Sequence, residues 1–412
     1  MKFANIWYLS KNVANIGEGI ISLSLEHIYR KMGIPEDEIV WVNHEDVATY
    51  DGEECIFPII SFLQNIESVG NYSNRLRPVF ICYVTFAPFT GKEAVILKKY
   101  EPIGCRDAYT LLQCEKNGIK AYFNGCITAT LPRSERPRNG QIVLSDVEPE
   151  LLAFIPNELK EDAVTVRHND TVSSLSEYRK RAREVLELFA ESPLCITSRL
   201  HCASPSIAFG TPVVFAKNRL SSRFSWIDRF YKIYAQQDYQ SIDWSPKTIE
   251  YEQTKNTISE LIKSRISEVF NGNSENTKTE SLIRQVDSFY RERPDTVYPA
   301  AFDKIIETIA MHRGQTEQFN YAFWGYSPFH GPINEFLTGN YPNAKLTRIY
   351  EDFRTDYEFG GLKASPITVS SRFPEELIIC FCSSQASINK MRGVLETQGR
   401  NPRNYIADFY QE

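Results

Sequence analysis

The sequence predicts an α/β protein of three units, and three observations carry that expectation. Short apolar, strand-like runs alternate with amphipathic helical runs through most of the chain, the pattern that builds helix-covered parallel sheets. Two polar stretches rich in turn-forming residues interrupt the alternation, PRSERPRNGQ at 132–141 and NGNSENTKTE at 271–280, and read as linkers. The 412 residues, 42% apolar and 24% charged, have an ordinary globular composition and length for about two or three domains.

Taken in order, FANIWYL reads as a strand, and NIGEG (Asn15 to Gly19) as a glycine-bearing turn into the helix IISLSLEHIYRKMG. PVFICYVTF and EAVILK read as buried strands. EPIGCRD ends a strand, DAYTLLQCEKNG forms a short helix stopped by Gly118, and IKAYFNGC returns as a strand. Together these make a first α/β domain over residues 1–135. QIVLSDV opens a second, over 136–270. Its helix SSLSEYRKRAREVLELFAES puts Leu175, Tyr178, Ala182, Val185, Leu186 and Phe189 on one face, with Ser174 and Glu177 as a capping box. LCIT, SRLHCASPSIAFG and, after Gly210, PVVFA follow as strand, helix and strand at close spacing. The loop after LCIT therefore lies at the carboxyl edge of a parallel sheet, where open α/β sheets bind ligands. RFSWIDRFYKIY reads as an amphipathic helix. Over 281–412, helical patterns and then NYAFWG, PINEFLTG, KLTRIYED and ELIICFCSS suggest a smaller Rossmann-like domain.

Composition excludes several functions. With 46 basic and 52 acidic residues the net charge is −6, and no Lys/Arg-rich block supplies the footprint of a nucleic-acid binder. A small basic cradle for a phosphorylated metabolite stays allowed. No run of about 18 apolar residues spans a membrane, and the N-terminus lacks a signal-peptide core. The expected location is cytoplasmic, with peripheral membrane contact and oligomeric state left open. Nine cysteines, mostly in apolar runs and without paired CxxC spacing, suggest a reduced protein with no structural metal.

The segment LCITSRLHCASPSIAFGTPVVF is the richest in chemistry. Thr197, Ser198, Arg199 and His201 cluster where a strand meets a helix start, whose free N–H groups and positive dipole end suit phosphate or carboxylate. Arginine adds a planar fork for the same anions, and histidine moves protons near neutral pH. The same residues also read as a surface ion pair and a loop cap. EPIGCRDAYT repeats the shape: Asp107 is a good N-cap, and Arg106 either aims at an anion in the same crevice or pairs with Asp107. In NIGEG, Gly17 and Gly19 permit close backbone approach, and Glu18 complements the helix dipole. Arg223 is within reach of the crevice. His27, His44, His168 and His312 read as surface or packing residues, His168 least safely because it ends a strand at a carboxyl edge.

Three of these segments together resemble the polysaccharide pyruvyl transferases, over roughly residues 5–240. The counterparts are NIGEG; GCRD (Gly104 to Asp107) with the downstream NGC (Asn124 to Cys126); and TSRLH (Thr197 to His201) with GTPVV. One departure is Glu18, where the family usually carries Asp. The resemblance implies a GT-B-like pair of Rossmann-like domains, acceptor side first and donor side second. It also implies transfer of the enolpyruvyl unit of phosphoenolpyruvate onto a sugar or lipid-linked oligosaccharide, forming a cyclic pyruvate ketal without metal or bound cofactor. His201, Arg199 and Glu18 would be catalytic, and Arg106, Asn15, Gly17, Thr197, Ser198, Leu200, Asn124 and Arg223 would line the substrates. Two alternatives stand beside it: a GT-B glycosyltransferase using a nucleotide sugar, and a non-catalytic sugar- or nucleotide-binding relative. Outside the resemblance, the turn at Gly325, Gly331 and the acids Glu351 and Asp352 make a degenerate Rossmann-like half. It reads as a scaffold, or as a site for a nucleotide-linked sugar.

Overall fold

The computed structural model describes residues 1–10, 13–61, 72–85, 87–272, 276–292, 301–313, 318–327, 329–352, 356–366, 374–381 and 385–406. It is a mixed α/β structure with parallel sheets, in two compact units. The first spans residues 1–85 and 94–298; the second spans 86–93 and 299–412.

The first unit holds two larger parallel sheets, beside a parallel pair, Ile103–Cys105 with Ala121–Phe123, and a small antiparallel sheet. Of the larger two, one runs Ile39–Asn43, Lys2–Trp7, Cys55–Ile59, Leu76–Phe80 in spatial order. The other runs Val164–Val166, Val143–Ser145, Cys195–Thr197, Val213–Lys217, Tyr234–Ala235. In both, the first strand in sequence lies between the second and the third. Each sheet therefore reverses its winding beside its first strand, and that reversal opens a crevice at the carboxyl ends. The helix Leu175–Glu191 buries Tyr178, Ala182, Val185 and Phe189 on one face. Each large apolar side chain so buried contributes ~1.5–3 kcal/mol. Ser174 Oγ accepts from Glu177 N at 3.2 Å, but Glu177 reaches one residue further back than a capping box requires, to Ser173 N at 2.7 Å.

Four expectations need correction. EAVILK belongs to a helix, Gly91–Lys98: Ala94 and Leu97 are buried while Val95 is exposed, which is helical spacing. Thr90 and Glu93 cap its start reciprocally, Glu93 N to Thr90 Oγ1 at 3.3 Å and Thr90 N to Glu93 Oε2 at 2.6 Å. NIGEG is no separate turn: Ile16–Lys31 is helical from its second residue, and the side chain of Asn15 caps it. RFSWIDRFYKIY forms two 3-10 turns, Ser222–Phe224 and Ile227–Arg229. Phe224, Trp226, Ile227, Phe230 and Ile233 are all buried, so its apolar groups do not form a single helical face. In 271–280, helix Glu252–Asn271 ends at the left-handed Gly272, and Asn276 caps a second helix, Thr277–Arg291, while 273–275 lie outside the described residues. The stretch 132–141 has no regular structure, yet Arg133 pairs with Glu250, Arg136 with Glu187 and Glu191, and Arg138 donates to the carbonyls of Ala190 and Phe209.

The second unit has a parallel sheet in the order Ala344–Tyr350, Phe319–Trp324, Leu377–Cys380, Tyr405–Ile406, with helices His330–Asn340 and Gln385–Thr397 between strands. A Cβ on Gly325 (φ 94°) would sit 2.1 Å from the Phe381 carbonyl oxygen, so this glycine lets two strand ends approach. His330 Nε2 lies 3.0 Å from the Gly325 carbonyl, and the ring stacks on Phe323 at 4.3 Å between centroids. Glu351 Oε2 accepts from Tyr326 N at 2.5 Å, so the acid read as a ribose partner braces the turn instead. Gly331 stands in the first turn of the helix with open space where a Cβ would go, and Asp352 is exposed just past its strand.

Candidate active site

The site is built where the carboxyl end of the sheet containing Cys195–Thr197 meets the start of helix Ile16–Lys31, with Arg106 following the strand Ile103–Cys105 of the smaller parallel pair. Strand Val13–Asn15 pairs antiparallel with Asn169–Thr171, setting Asn15 opposite Asn169. That register carries His168 to the start of the helix Ile16–Lys31, where its carbonyl accepts from Ile16 N at 2.7 Å. Asn15 Oδ1 accepts from Gly17 N at 2.9 Å. A Cβ on Gly17 would lie 3.0 Å from His201 Nδ1, 3.0 Å from Asn15 Oδ1 and 3.2 Å from His168 Cδ2. Gly17 is thus where two histidines converge on a helix start. Gly19 serves packing: its Cβ would meet Ala182 Cβ at 3.0 Å. Glu18 Oε2 accepts from Ser61 Oγ at 2.8 Å, with Ser61 following strand Cys55–Ile59 of the first sheet.

The second sheet supplies the other half. Thr197 Oγ1 donates to the Ser145 carbonyl at 2.9 Å and accepts from Arg199 N at 2.8 Å, and Ser198 Oγ accepts from Glu148 N at 3.2 Å. These two residues shape the turn, and Leu200 packs as a buried apolar side chain. Arg199 sits at the N-cap of helix Leu200–Phe209 and is half-exposed, with Nε 3.2 Å from Asp146 Oδ2. His201 is buried, and burial, together with the charges of Arg106, Arg223, His168 and Arg199, holds its pKa well below the usual imidazole value.

Arg106 is the anomaly of the molecule. It is 0% exposed, and among the described residues none accepts a hydrogen bond from its Nε, Nη1 or Nη2. A charge taken out of water without a hydrogen-bond partner is costly. Asp107 does not relieve it: its Oδ1 caps the following helix through Thr110 N at 2.9 Å, and burial pushes its pKa up to about 6 against the pull of Thr110, Arg106 and Arg223. Arg223 acts electrostatically on both Asp107 and His201. Asn124 is buried and donates through Nδ2 to the Ile81 carbonyl at 3.0 Å, which fastens the neighbouring chain. Gly104 permits tight backbone contact there, since a Cβ would lie 2.1 Å from the Ile81 oxygen.

One residue at the site, Asp146, went unassigned in the sequence, and its partner His168 read there as a surface or packing residue. Asp146 follows strand Val143–Ser145 and takes, on Oδ2, both His168 Nδ1 (2.8 Å) and His168 N (3.0 Å) besides Arg199. Burial would raise its pKa, but the His168 hydrogen bonds and the charges of His168 and Arg199 outweigh it and hold the carboxyl below its ordinary value. The usable signal was an acid at a strand's carboxyl end followed, a strand later, by a histidine at the adjacent one. Among the described residues no group of His, Cys, Asp and Glu could hold a metal, and all eight described cysteines are free and buried.

One expected result follows from the geometry. Gly17→Ala should leave the fold intact and displace His201, His168 or the Asn15 cap by tenths of an ångström. Any turnover carried by these histidines should fall by about 10²-fold. Steady-state rates beside a melting curve check this; unchanged turnover would mean that neither histidine needs this position.

Residues 91–218 match the family model described as polysaccharide pyruvyl transferase. The match takes in GCRD, NGC, TSRLH and GTPVV and supports the family resemblance, with NIGEG lying outside it. It points to pyruvyl transfer in polysaccharide biosynthesis. A solved structure of a functionally uncharacterised protein from Klebsiella pneumoniae aligns with 60% of this chain and 92% of that one, at 15% identity and a TM-score of 0.34. No curated protein sequence matches. No helix among the described residues is long and apolar enough to cross a membrane.

Proposed function

We propose that the chain transfers the enolpyruvyl group of phosphoenolpyruvate to a sugar of a surface polysaccharide or its precursor, closing a cyclic pyruvate ketal and releasing phosphate. The observation that carries this reading is Arg106, fully buried, acting electrostatically on His201, and with no acceptor for its guanidinium among the described residues. Phosphoenolpyruvate offers a phosphate and a carboxylate. Arg106, Arg199 and Arg223, with the helix start at Arg199, match both anions. In this reading the two larger first-unit sheets form the GT-B-like pair, acceptor side first, and no metal or bound cofactor takes part.

His201 delivers a proton to C3 of the donor, generating an oxocarbenium-like centre at C2. The bound anions offset the arginine charges that keep His201 neutral in the free protein. Glu18, held by Ser61, hydrogen-bonds the acceptor. The chemistry suits an enzyme of the cytoplasm acting on a sugar or a lipid-linked oligosaccharide.

Calorimetric titration with phosphoenolpyruvate, beside UDP-sugars, tests the donor. Saturable phosphoenolpyruvate binding that Arg199→Ala abolishes is the expected result. A nucleotide sugar bound in place of phosphoenolpyruvate would instead make the chain a glycosyltransferase.

A further inference from the structure

We propose that His168 takes the proton of the attacking sugar hydroxyl and that Asp146 is its positioning residue; the assignment rests on the pyruvyl-transfer reading above. His168 is 2% exposed and fixed at three points. Its carbonyl accepts from Ile16 N at 2.7 Å, and its own N and its Nδ1 both donate to Asp146 Oδ2, at 3.0 and 2.8 Å. An ionised carboxylate only accepts, so Nδ1 carries a proton, and in the neutral ring Nε2 presents a lone pair. That Nε2 is buried and has no partner among the described residues. The ring edge and His201 Nδ1 face the same point above Gly17, 3.2 and 3.0 Å from where its Cβ would be.

Nucleophile, base and base-orienting acid form the usual arrangement for activating a hydroxyl, and here the orienting acid also holds a donor-binding arginine through Nε. The backbone at Asp146 supports a functional reading. Its φ of 41° is unusual for a residue other than glycine, and such conformations persist where the surroundings over-determine them. One oxygen of Glu18 already accepts from Ser61.

The protons balance across the two hydroxyls. The first hydroxyl oxygen bonds to C2 and yields its proton to His168 Nε2, while the C2=C3 electron pair takes a proton from His201. The second hydroxyl then bonds to C2 and gives its proton to His201, and the bond from C2 to the phosphate oxygen breaks. Phosphate leaves as hydrogen phosphate with the proton that His168 carried. Both histidines return to their starting states.

Nitrogen NMR of the histidine rings in the full chain tests the base without any acceptor. One neutral ring, absent from His168→Gln, should carry its proton on Nδ1, and Asp146→Asn should remove that preference. A proton on Nε2 would overturn the proposal. Turnover is read as phosphate release from phosphoenolpyruvate with a panel of methyl hexopyranosides. His168→Gln should lower kcat about 10²–10⁴-fold at unchanged donor affinity, with partial rescue of His168→Ala by added imidazole. Asp146→Asn should lower kcat and also weaken phosphoenolpyruvate binding severalfold, since Arg199 loses its partner. Loss of turnover in Glu18→Gln but not in His168→Gln would make the carboxylate the base. Wild-type protein that fails to bind phosphoenolpyruvate would sink the donor reading itself, a result distinct from bound donor with an idle His168.

Discussion

Replacing Arg106 by methionine should raise the melting temperature of the ligand-free protein while abolishing phosphoenolpyruvate binding. The guanidinium is fully buried, and no described residue accepts a hydrogen bond from it. The fold therefore carries the desolvation cost of a charge with no hydrogen-bonded ion pair among the described residues. Substituting an apolar side chain of similar length should stabilise by about 1–4 kcal/mol, a shift of about 2–4 °C or more. In the wild type, phosphoenolpyruvate at a hundred times its dissociation constant should add ~2.7 kcal/mol, and that increment should vanish in Arg106→Met. Differential scanning calorimetry with and without the donor reads both effects. A variant that melts lower than wild type and still gains stability from phosphoenolpyruvate would show that Arg106 is a packing residue.

His201→Gln should spare donor binding and lower turnover about 10²–10⁴-fold, the size of a lost general acid. The pH behaviour distinguishes this from a packing defect. In the free protein the His201 pKa lies well below 6.5 because of burial and the charges of Arg106, Arg223, His168 and Arg199. Phosphate and carboxylate groups beside those arginines favour the imidazolium, so the bound-state pKa is the higher one. Binding then takes up a proton at neutral pH, and donor affinity weakens as pH rises through the bound-state pKa. Calorimetry in two buffers of different ionisation enthalpy should show that uptake in wild type and lose it in His201→Gln. Equal uptake in both proteins would place the titrating group elsewhere.

Local chemistry made much of the site legible before any tertiary contact was known. Asp107 as an N-cap, Ser174 and Glu177 at a helix start, Gly118 as a helix stop and the strand–turn–helix around Thr197 to His201 all depend on neighbours within a few residues. EAVILK failed because a short apolar run has no period of its own; the burial of Ala94 and Leu97 and the Thr90 cap decided it. RFSWIDRFYKIY failed for a related reason. Its aromatics meet partners distant in sequence, as where Phe230 contacts Phe289 and Tyr290.

The sequence by itself determined the α/β alternation, the helix starts at the strand ends, and the pairing of arginine and histidine at one of them, because each is settled by short-range sterics, capping and periodicity. Tertiary structure alone decided which charges lie together. A three-residue antiparallel pairing between Val13–Asn15 and Asn169–Thr171 carries His168 across about 150 residues of sequence to Gly17. Burial of Arg106 likewise depends on every element packed around it. Partnering and desolvation are properties of the assembled surroundings, and no single segment encodes them.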